Sequence, residues 1–294
     1  MTLATSLHAP IIITQAGDLL ARYDVLFCDV WGVVHDGLKA YGPACAALTR
    51  FRAGGGTVIL VSNAPVPEEQ VARMLDSRSV PRAAWDAIVS SGDIALTYVA
   101  AQGFGALYCI GPRDRDSALF ARLRARQTGL TDADAILCSG LADDRTETAA
   151  SYGALLDQAR ARELPFVCAN PDLVVDVGGR LYLCAGAIGD LYESMGGTVY
   201  WAGKPHANAY ETALAAAVRL RGAAVPPARI LAIGDSLRTD LKAAKGAGVE
   251  ALFVAGGIHR HEVMTGSRID PMQLAALFEA EPVPAVAAIA QLVW

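Results

Sequence analysis

Short apolar runs that end abruptly at a polar residue recur along this chain. Each run has the length and the continuous apolar character of a strand buried in a parallel sheet. The four runs are 25–28 before Asp29, 57–61 before Ser62 and Asn63, 198–202 before Gly203 and Lys204, and 230–233 before Gly234 and Asp235. If these strands lie side by side and parallel, their carboxyl ends converge where open α/β sheets place their chemistry. We therefore predict that a carboxylate, a hydroxyl, an ammonium and a second carboxylate meet there.

Helical stretches alternate with these strands. The pattern predicts helices over 44–52 and 68–76 after the first two strands, and over 207–220 and 238–246 after the last two. Pro43 stands in the first turn of the first helix, where its missing N–H costs nothing. The strand–helix alternation is typical of a doubly wound parallel sheet, so we predict the α/β class.

A long block separates the second polar strand end from the third. Within it we predict strands over 106–110, 135–138 and 166–169, and helices over 117–126 and 146–162. This is again an α/β pattern, and insertion at an exposed loop is a well-tolerated way to build a two-domain chain. We predict a discontinuous core domain, 1–85 and 197–294, that carries an inserted α/β domain, 86–196.

Composition and charge narrow the choice of partners. The net charge is −5, and aromatic residues do not alternate with Lys/Arg runs, so neither nucleic acid nor an anionic membrane is a predicted partner. No apolar stretch reaches the roughly 18 residues that span a bilayer. The apolar run 10–13 is too short for a signal peptide and lacks a basic segment before it. We predict a cytoplasmic protein.

Six cysteines are spread along the chain without the spacing of a metal site. They are Cys28, Cys45, Cys109, Cys138, Cys168 and Cys184, and no two form a C-x-x-C pair. Several lie inside apolar runs, so we interpret them as small core residues in a reducing compartment.

The predicted strand ends offer a nucleophile and a metal site. A carboxylate such as that of Asp29 can attack phosphorus and form an aspartyl-phosphate. Because two anions must then approach each other, positive charge is required. Asp29, Asp235 and Asp240 can hold one hard cation, and Mg²⁺ suits this role because it bridges phosphate oxygens and accepts few carboxylates.

Three further residues can stabilise the charge of a transferring phosphoryl group. Lys204 supplies a fixed positive charge, Ser62 a hydroxyl and Asn63 a backbone N–H. Phosphoryl transfer needs little more than such positioning and charge neutralisation. The pattern therefore predicts phosphoryl-transfer chemistry.

Four motifs, taken in order, resemble those of the haloacid dehalogenase superfamily. They are Asp29-x-x-Gly32, Ser62-Asn63, Gly203-Lys204-Pro205 and Gly234-Asp235-Ser236-Leu237-Arg238-Thr239-Asp240, within about residues 24–256. The block between the second and third motifs, with its Asn170-Pro171-Asp172, resembles the cap of class IIA, the NagD-like sugar and nucleotide phosphatases. The resemblance implies a Rossmann-like catalytic core with an inserted cap domain that sets specificity.

The resemblance also implies a role for each matching position. It implies that Asp29 is the nucleophile and that Asp29, Asp235 and the backbone carbonyl of Trp31 are metal ligands. Ser62 would bind the phosphoryl group, and Lys204 would neutralise its charge. Asp240 would bind the water shell of the metal or orient Lys204. The implied cofactor is Mg²⁺. Because caps of this type often pair between subunits, the resemblance also implies a homodimer.

One position departs from the phosphatase pattern. Family phosphatases carry a second Asp two residues after the nucleophile, as general acid and base, and this chain has Trp31 there. With an aromatic residue at that position, the local pattern instead resembles that of the haloacid dehalogenases, which use no metal. Those enzymes need no full acidic site, however, whereas this chain keeps Asp235 and Asp240. We predict a Mg²⁺-dependent phosphatase, with a metal-independent dehalogenase or a non-catalytic phospho-ligand binder as alternatives.

The missing acid has a chemical consequence. General acid–base help is typically worth about 10²–10⁴-fold. Either the substrate therefore has a good leaving group, as an acyl phosphate, a phenyl phosphate or an anhydride does, or another residue replaces the acid. His35 and Asp36 are the nearest candidates, although a structural role for His35 and a turn role for Asp36 are the interpretations we prefer.

Overall fold

The structure is a computed structural model that describes residues 9–294. Residues 1–8, the beginning of the predicted core domain, lie outside the described residues. The chain divides into two compact units, each built from separate segments. The first contains the described part of Met1–Val61, Leu75–Ile88 and Tyr210–Trp294, and the second contains Ser62–Met74 and Val89–Ala209. The second unit includes most of the predicted insertion, and the exact domain boundaries stay a prediction.

The strands alternate with helices along the whole described chain. The strands are β1 (Ile11–Ile13), β2 (Val25–Cys28), β3 (Thr57–Ser62), β4 (Ala87–Ser90), β5 (Ala106–Ile110), β6 (Arg126–Gln127), β7 (Ala135–Cys138), β8 (Phe166–Cys168), β9 (Val174–Val177), β10 (Arg180–Leu183), β11 (Val199–Trp201), β12 (Ile230–Gly234), β13 (Glu250–Val254), β14 (Met264–Thr265), β15 (Arg268–Ile269) and β16 (Ala287–Ile289).

The α-helices vary from single turns to four turns. They are α1 (Gly17–Leu20), α2 (Gly42–Ala53), α3 (Glu68–Ser77), α4 (Ser91–Gln102), α5 (Ser117–Phe120), α6 (Gly153–Ala161), α7 (Ala185–Ser194), α8 (Ala207–Arg221), α9 (Lys242–Ala247), α10 (Arg260–Val263) and α11 (Pro271–Ala280). Short 3₁₀ helices span Arg82–Ala84, Leu130–Asp132, Ala149–Tyr152 and Pro227–Arg229, and a π-helical turn spans Leu237–Leu241.

The larger sheet places the predicted nucleophile strand near its centre. Its strand order is β1-β16-β13-β12-β2-β3-β4, and the pairs from β1 to β3 are parallel. Cys28, the last residue of β2, lies opposite Ile233 of β12 and Leu60 of β3. Every residue of these three strands is buried. The predicted α/β class with a parallel sheet is confirmed.

The second unit has its own parallel sheet. The strand order is β11-β8-β7-β5-β6, and each neighbouring pair is parallel. Phe166 and Tyr192 pack in the core on this sheet, together with apolar residues of α6 and α7. The hydroxyl of Tyr192 donates to the carbonyl of Leu164 at 2.7 Å, so its one polar group is satisfied inside the core.

The prediction that all four polar-ended strands lie side by side is wrong for one of them. β2, β3 and β12 are neighbours in the larger sheet, but β11 pairs with β8 in the smaller one. An apolar run with a polar end describes a parallel strand in either sheet, because local pattern carries no information about the partner strand. Lys204, which follows β11, therefore belongs to the second unit.

The structure departs from the helices predicted at 117–126 and at 238–246. The 117–126 stretch forms only α5, and its end enters β6 beside β5. Edge pairing with β5 satisfies backbone groups that a longer helix would have left at the sheet edge, so tertiary context overrides helix propensity. The 238–246 stretch begins as the π-helical turn and continues as α9.

The six cysteines lie where the sequence analysis places them, in the core. All six cysteines are buried, as small core residues should be. Burial raises the pKa of Cys45, Cys109, Cys138, Cys168 and Cys184, so these thiols stay neutral. Among residues 9–294, no helix is long and apolar enough to cross a membrane.

The core of the second unit yields a stability prediction. Phe166→Ala should lower the free energy of unfolding by about 3–5 kcal/mol, because it removes a fully buried ring from β8. Leu181→Ala, at a side chain that is 60% exposed on β10, is the control and should change it by less than about 0.5 kcal/mol. Urea unfolding followed by circular dichroism measures both. Equal losses would contradict this packing.

Candidate active site

Asp29 directly follows β2, which pairs in parallel with β12. Its backbone N–H donates to the carbonyl of Ile233 in β12 at 2.8 Å. The Asp29 side chain is buried although it is a carboxylate. β2 and β12 therefore fix the position of this carboxylate.

Asp235 follows β12, in a position that the backbone of two loops surrounds closely. Its Oδ2 accepts a hydrogen bond from the N–H of Ile258 at 2.6 Å. A Cβ added to Gly32 would lie 1.9 Å from the same oxygen, and one added to Gly257 would lie 2.0 Å from it. Only glycine permits this approach, so both loops are shaped around the Asp235 carboxylate.

Asp240 comes from the π-helical turn that follows. Its Oδ2 accepts from the N–H of Ser236 at 3.2 Å, while the Ser236 hydroxyl accepts from the N–H of Thr239. A Cβ on Gly234 would lie 2.2 Å from the Cβ of Asp240. The turn thus folds back on the end of β12 and brings the second carboxylate of the G-D-x-x-x-T-D motif toward the first.

The three carboxylates meet. Asp29, Asp235 and Asp240 are all buried, and each has a carboxylate oxygen within 4.8 Å of the others. Carboxylates held this close repel one another, and a buried anionic cluster is costly without positive charge. An all-oxygen donor set of this kind fits a hard divalent cation such as Mg²⁺. The predicted convergence of these three residues is confirmed by the geometry, whereas their roles stay predictions.

The loop after Asp29 forms a small closed structure around Trp31. The N–H of Gly32 donates to the carbonyl of His35 at 2.8 Å, and the rings of Trp31 and His35 pack edge to face at 5.0 Å. A Cβ on Gly37 would lie 2.4 Å from the Trp31 ring. The indole is therefore packed against its own loop, and the carbonyl of Trp31 as a metal ligand stays a prediction.

His35 and Asp36, the two candidates for a replacement acid, accept hydrogen bonds from the backbone of this loop. His35 is 1% exposed, and its Nδ1 accepts from the N–H of Gly37 at 2.9 Å. Burial, together with the positive charge of Arg78, lowers the pKa of His35 to about 4, so the ring is neutral at neutral pH. Asp36 Oδ1 accepts from the N–H groups of Leu38 and Lys39, as a turn residue does.

The second unit holds the remaining predicted site residues. Ser62 ends β3, is buried, and accepts at its Oγ from the N–H of Ala64 at 3.2 Å. Asn63 and Lys204 are in direct contact, since the N–H of Lys204 donates to Asn63 Oδ1 at 2.8 Å. Lys204 is 2% exposed. The structure thus brings Asn63 and Lys204 together in this unit, as it brings the three carboxylates together in the other.

Sequence reasoning missed residues that hold the Lys204 segment. Asn208 Oδ1 accepts from the N–H of Gly203 at 3.0 Å, and its Nδ2 donates to the carbonyl of Trp201 at 2.8 Å. Asp172 accepts from the side chain of Asn63. Asp172 stood in a motif of the sequence, but nothing in that motif pointed to Asn63.

Comparison with protein families finds matches in both halves of the chain. A model described as haloacid dehalogenase-like hydrolase matches residues 26–122. A model described as HAD-hydrolase-like matches residues 201–278. The first match contains Asp29 and Ser62, and the second contains Lys204, Asp235 and Asp240. A comparison with curated proteins returns no match.

Solved structures are similar over nearly the whole length. A hydrolase of the haloacid dehalogenase-like family from Brucella suis 1330 is 39% identical, covering 96% of this chain and 100% of that chain, with a TM-score of 0.84. A possible sugar phosphatase from Cytophaga hutchinsonii is 18% identical over 96% and 98%, with a TM-score of 0.76. NagD from E. coli K-12 is 20% identical over 92% and 96%, with a TM-score of 0.62. The latter two likenesses concern the fold.

The close approach of Gly32 to Asp235 can be tested. Gly32→Ala adds a Cβ that meets Asp235 Oδ2, so we expect Mg²⁺ affinity to fall about 10–100-fold, as when groups around metal ligands are disturbed. Gly55→Ala is the matched control, because Gly55 has a similar positive φ of 89° but open space around it. Each change should cost about 1–2 kcal/mol of backbone strain.

Titration calorimetry with Mg²⁺ and thermal unfolding separate the two effects. Both variants should be destabilised by backbone strain, Gly32→Ala by more because its Cβ also displaces the Asp235 carboxylate, and only Gly32→Ala should lose Mg²⁺ affinity. Equal Mg²⁺ affinity in the two variants would contradict the carboxylate cluster as the metal site.

Proposed function

The chain belongs to the haloacid dehalogenase-like hydrolases, and from that membership we propose that it is a Mg²⁺-dependent phosphatase acting on a small phosphorylated metabolite. The observation that carries the proposal is the buried cluster of Asp29, Asp235 and Asp240. A phosphatase of this family needs a carboxylate nucleophile beside a divalent cation. The likeness in fold to NagD and to a possible sugar phosphatase supports the same reaction class.

The residues present fit the proposed cofactor. Asp29 and Asp235 would hold Mg²⁺ through carboxylate oxygens, with the carbonyl of Trp31 as a further ligand and Asp240 at the cation or its water shell. When bound, the cation would neutralise charge on the phosphoryl oxygens as the anionic nucleophile approaches. The backbone N–H groups of Ile258 and Ser236 orient Asp235 and Asp240 for this task.

We propose that Asp29 carries the covalent step. A carboxylate oxygen of Asp29 attacks phosphorus, a new O–P bond forms, and the bond to the leaving-group oxygen breaks with its electron pair. The leaving group departs as an anion, which takes a proton from solvent only where its own pKa lies above the pH. The oxygen of a water molecule then attacks the phosphorus of the aspartyl-phosphate and the bond from Asp29 to phosphorus breaks, which gives hydrogen phosphate, the restored Asp29 carboxylate and one proton released to solvent.

Ser62 and Lys204 would bind the group being transferred. We propose that the Ser62 hydroxyl and the backbone N–H of Asn63 donate to phosphoryl oxygens, and that the Lys204 ammonium balances their negative charge. Such preorganised donors stabilise charge that develops during transfer. This assignment follows the family motifs residue by residue.

The leaving group is the point at which this chain should differ from other phosphatases. Trp31 cannot donate a proton to it, and the buried His35 and the turn residue Asp36 are both engaged within their own loop. We therefore propose that the natural substrate is an activated phosphate, such as an acyl or aryl phosphate. A leaving group of low basicity departs without a general acid.

The first test is a steady-state assay with acetyl phosphate, p-nitrophenyl phosphate and a hexose phosphate. We expect Mg²⁺-dependent turnover of the first two and, because general acid help is absent, turnover of the hexose phosphate that is about 10²–10⁴-fold slower. Asp29→Asn should lower kcat by about 10³-fold or more, since it removes the nucleophile. Chelation of Mg²⁺ by EDTA should abolish turnover reversibly.

The same assay distinguishes the alternatives. Turnover of no ester above the level of Asp29→Asn, with retained affinity for inorganic phosphate, would identify a phospho-ligand-binding protein. Halide release from a 2-haloacid without Mg²⁺ would identify a dehalogenase. The cluster of Asp29, Asp235 and Asp240 favours the phosphatase over the metal-independent dehalogenase, and the turnover assay separates it from the phospho-ligand-binding protein.

We also propose that the protein is a homodimer, as the resemblance to capped relatives implies. Size-exclusion chromatography with light scattering should give twice the mass of one chain at micromolar concentration. A single-chain mass would remove this proposal without affecting the catalytic one.

A further inference from the structure

We propose that Asn63 is a positioning residue that holds the backbone of Lys204, and that Asp172 fixes the Asn63 amide in that role. The assignment rests on the proposed function, in which the Lys204 ammonium balances phosphoryl charge. It gives the Asn63 side chain a task distinct from the backbone N–H that the family motif offers to substrate. It also gives Asp172 a task in the site.

One amide side chain holds both main-chain polar groups of Lys204. The N–H of Lys204 donates to Asn63 Oδ1 at 2.8 Å, and Asn63 Nδ2 donates to the carbonyl of Lys204 at 3.0 Å. This is the pairing that a neighbouring strand would make, although it comes from a side chain. The peptide groups on both sides of the Lys204 Cα are thereby fixed.

The two remaining hydrogen-bonding positions of the amide are also filled. Asn63 Nδ2 donates to Asp172 Oδ1 at 2.8 Å, and the Ser91 hydroxyl donates to Asn63 Oδ1 at 3.2 Å. An amide offers two donors and two acceptor lone pairs, so its capacity is used completely. Because Asn63 is only 5% exposed, its side chain has no polar position left for a substrate.

Asp172 and the carbonyl of Lys204 both favour the same orientation of the Asn63 amide. If the amide were flipped, its oxygen would face Asp172 Oδ1 and the carbonyl of Lys204, and both contacts would be repulsive. The Asp172 carboxylate therefore reinforces the orientation in which Asn63 accepts from the N–H of Lys204. Asp172 acts on Lys204 through Asn63.

Lys204 needs this support because of the residue before it. Gly203 has a φ of 118°, a conformation that other residues rarely adopt, and a Cβ there would lie 2.0 Å from Ser91 Oγ. A glycine link allows the following residue to rotate unless other contacts hold it. Misplacement of a reacting or charge-stabilising group by about 1 Å can cost about 10²-fold in rate.

The decisive variant is Asn63→Asp, which keeps size and shape. It keeps an acceptor for the N–H of Lys204 but loses both donors, and it places a carboxylate oxygen against the Lys204 carbonyl and Asp172. We expect kcat/KM for p-nitrophenyl phosphate to fall about 10–100-fold. The control is Asn170→Asp, the same change at a residue whose Oδ1 accepts from the N–H of Asp172 and can continue to do so. It should stay within about threefold of the wild type.

A double-mutant cycle with Lys204→Ala shows whether Asn63 acts through Lys204. In the Lys204→Ala background, Asn63→Asp should change kcat/KM by less than about threefold, because the ammonium that it positions is gone. The same four proteins are compared for affinity toward inorganic phosphate by calorimetry, which is measurable even where turnover is slow. A thermal unfolding midpoint above the assay temperature shows for each of the four proteins that it is folded in the assay.

A charge-exchanged variant adds a second readout. Combining Asn63→Asp with Asp172→Asn removes the repulsion and restores a donor between the two side chains. It should therefore regain about tenfold of the lost kcat/KM, whereas Asp172→Asn alone should lose little, since its amide oxygen still accepts from Asn63.

Additive losses in the cycle, or no recovery in the exchanged variant, would overturn this assignment while leaving an active phosphatase. A wild-type chain that turns over no phosphate ester would overturn the proposed function, and the assignment with it. The two failures are therefore distinguishable.

Discussion

The mutual repulsion of three buried carboxylates is the constraint on which the first unit depends. One carboxylate oxygen each of Asp29, Asp235 and Asp240 lies within 4.8 Å of the others, and all three residues are buried. Backbone N–H groups offset part of the cost, and a divalent cation is the chemical species that would offset the rest. The same packing requires glycine at positions 32 and 257, because a Cβ at either position would occupy the space of an Asp235 carboxylate oxygen.

The parallel pairing of β2 with β12 brings the residues of the acidic cluster to the same edge of the sheet. β2 and β12 are neighbours in register, so the residues that follow them emerge at the same edge, and the N–H of Asp29 is bonded to β12 itself. The second unit solves a related problem by a different route. It must hold a long, flexible lysine after a glycine, and it does so with a buried amide whose four hydrogen-bonding positions are filled. Rigid backbone geometry thus prepares both charges of the proposed reaction.

The sequence predicted the acidic cluster because its information is local. Each carboxylate follows a short apolar run or stands in a short motif, and neighbouring parallel strands bring such ends together. The same logic was wrong for β11, because a strand pattern does not identify its sheet. The role of the Asn63 side chain was beyond prediction, since its partners lie 28, 109 and 141 residues away along the chain. Helix α5 is shorter than predicted for a similar reason, because the residues that follow it form β6, whose pairing with β5 is a tertiary contact.

The central claim is that Asp29 is phosphorylated during turnover. The most direct measurement is to incubate the protein with acetyl phosphate, reduce it with borohydride, and locate the resulting homoserine by peptide mass spectrometry. The account predicts homoserine at position 29, formed only with Mg²⁺ present, and unmodified aspartates at positions 235 and 240. Turnover of acetyl phosphate without any modification at position 29 would contradict it.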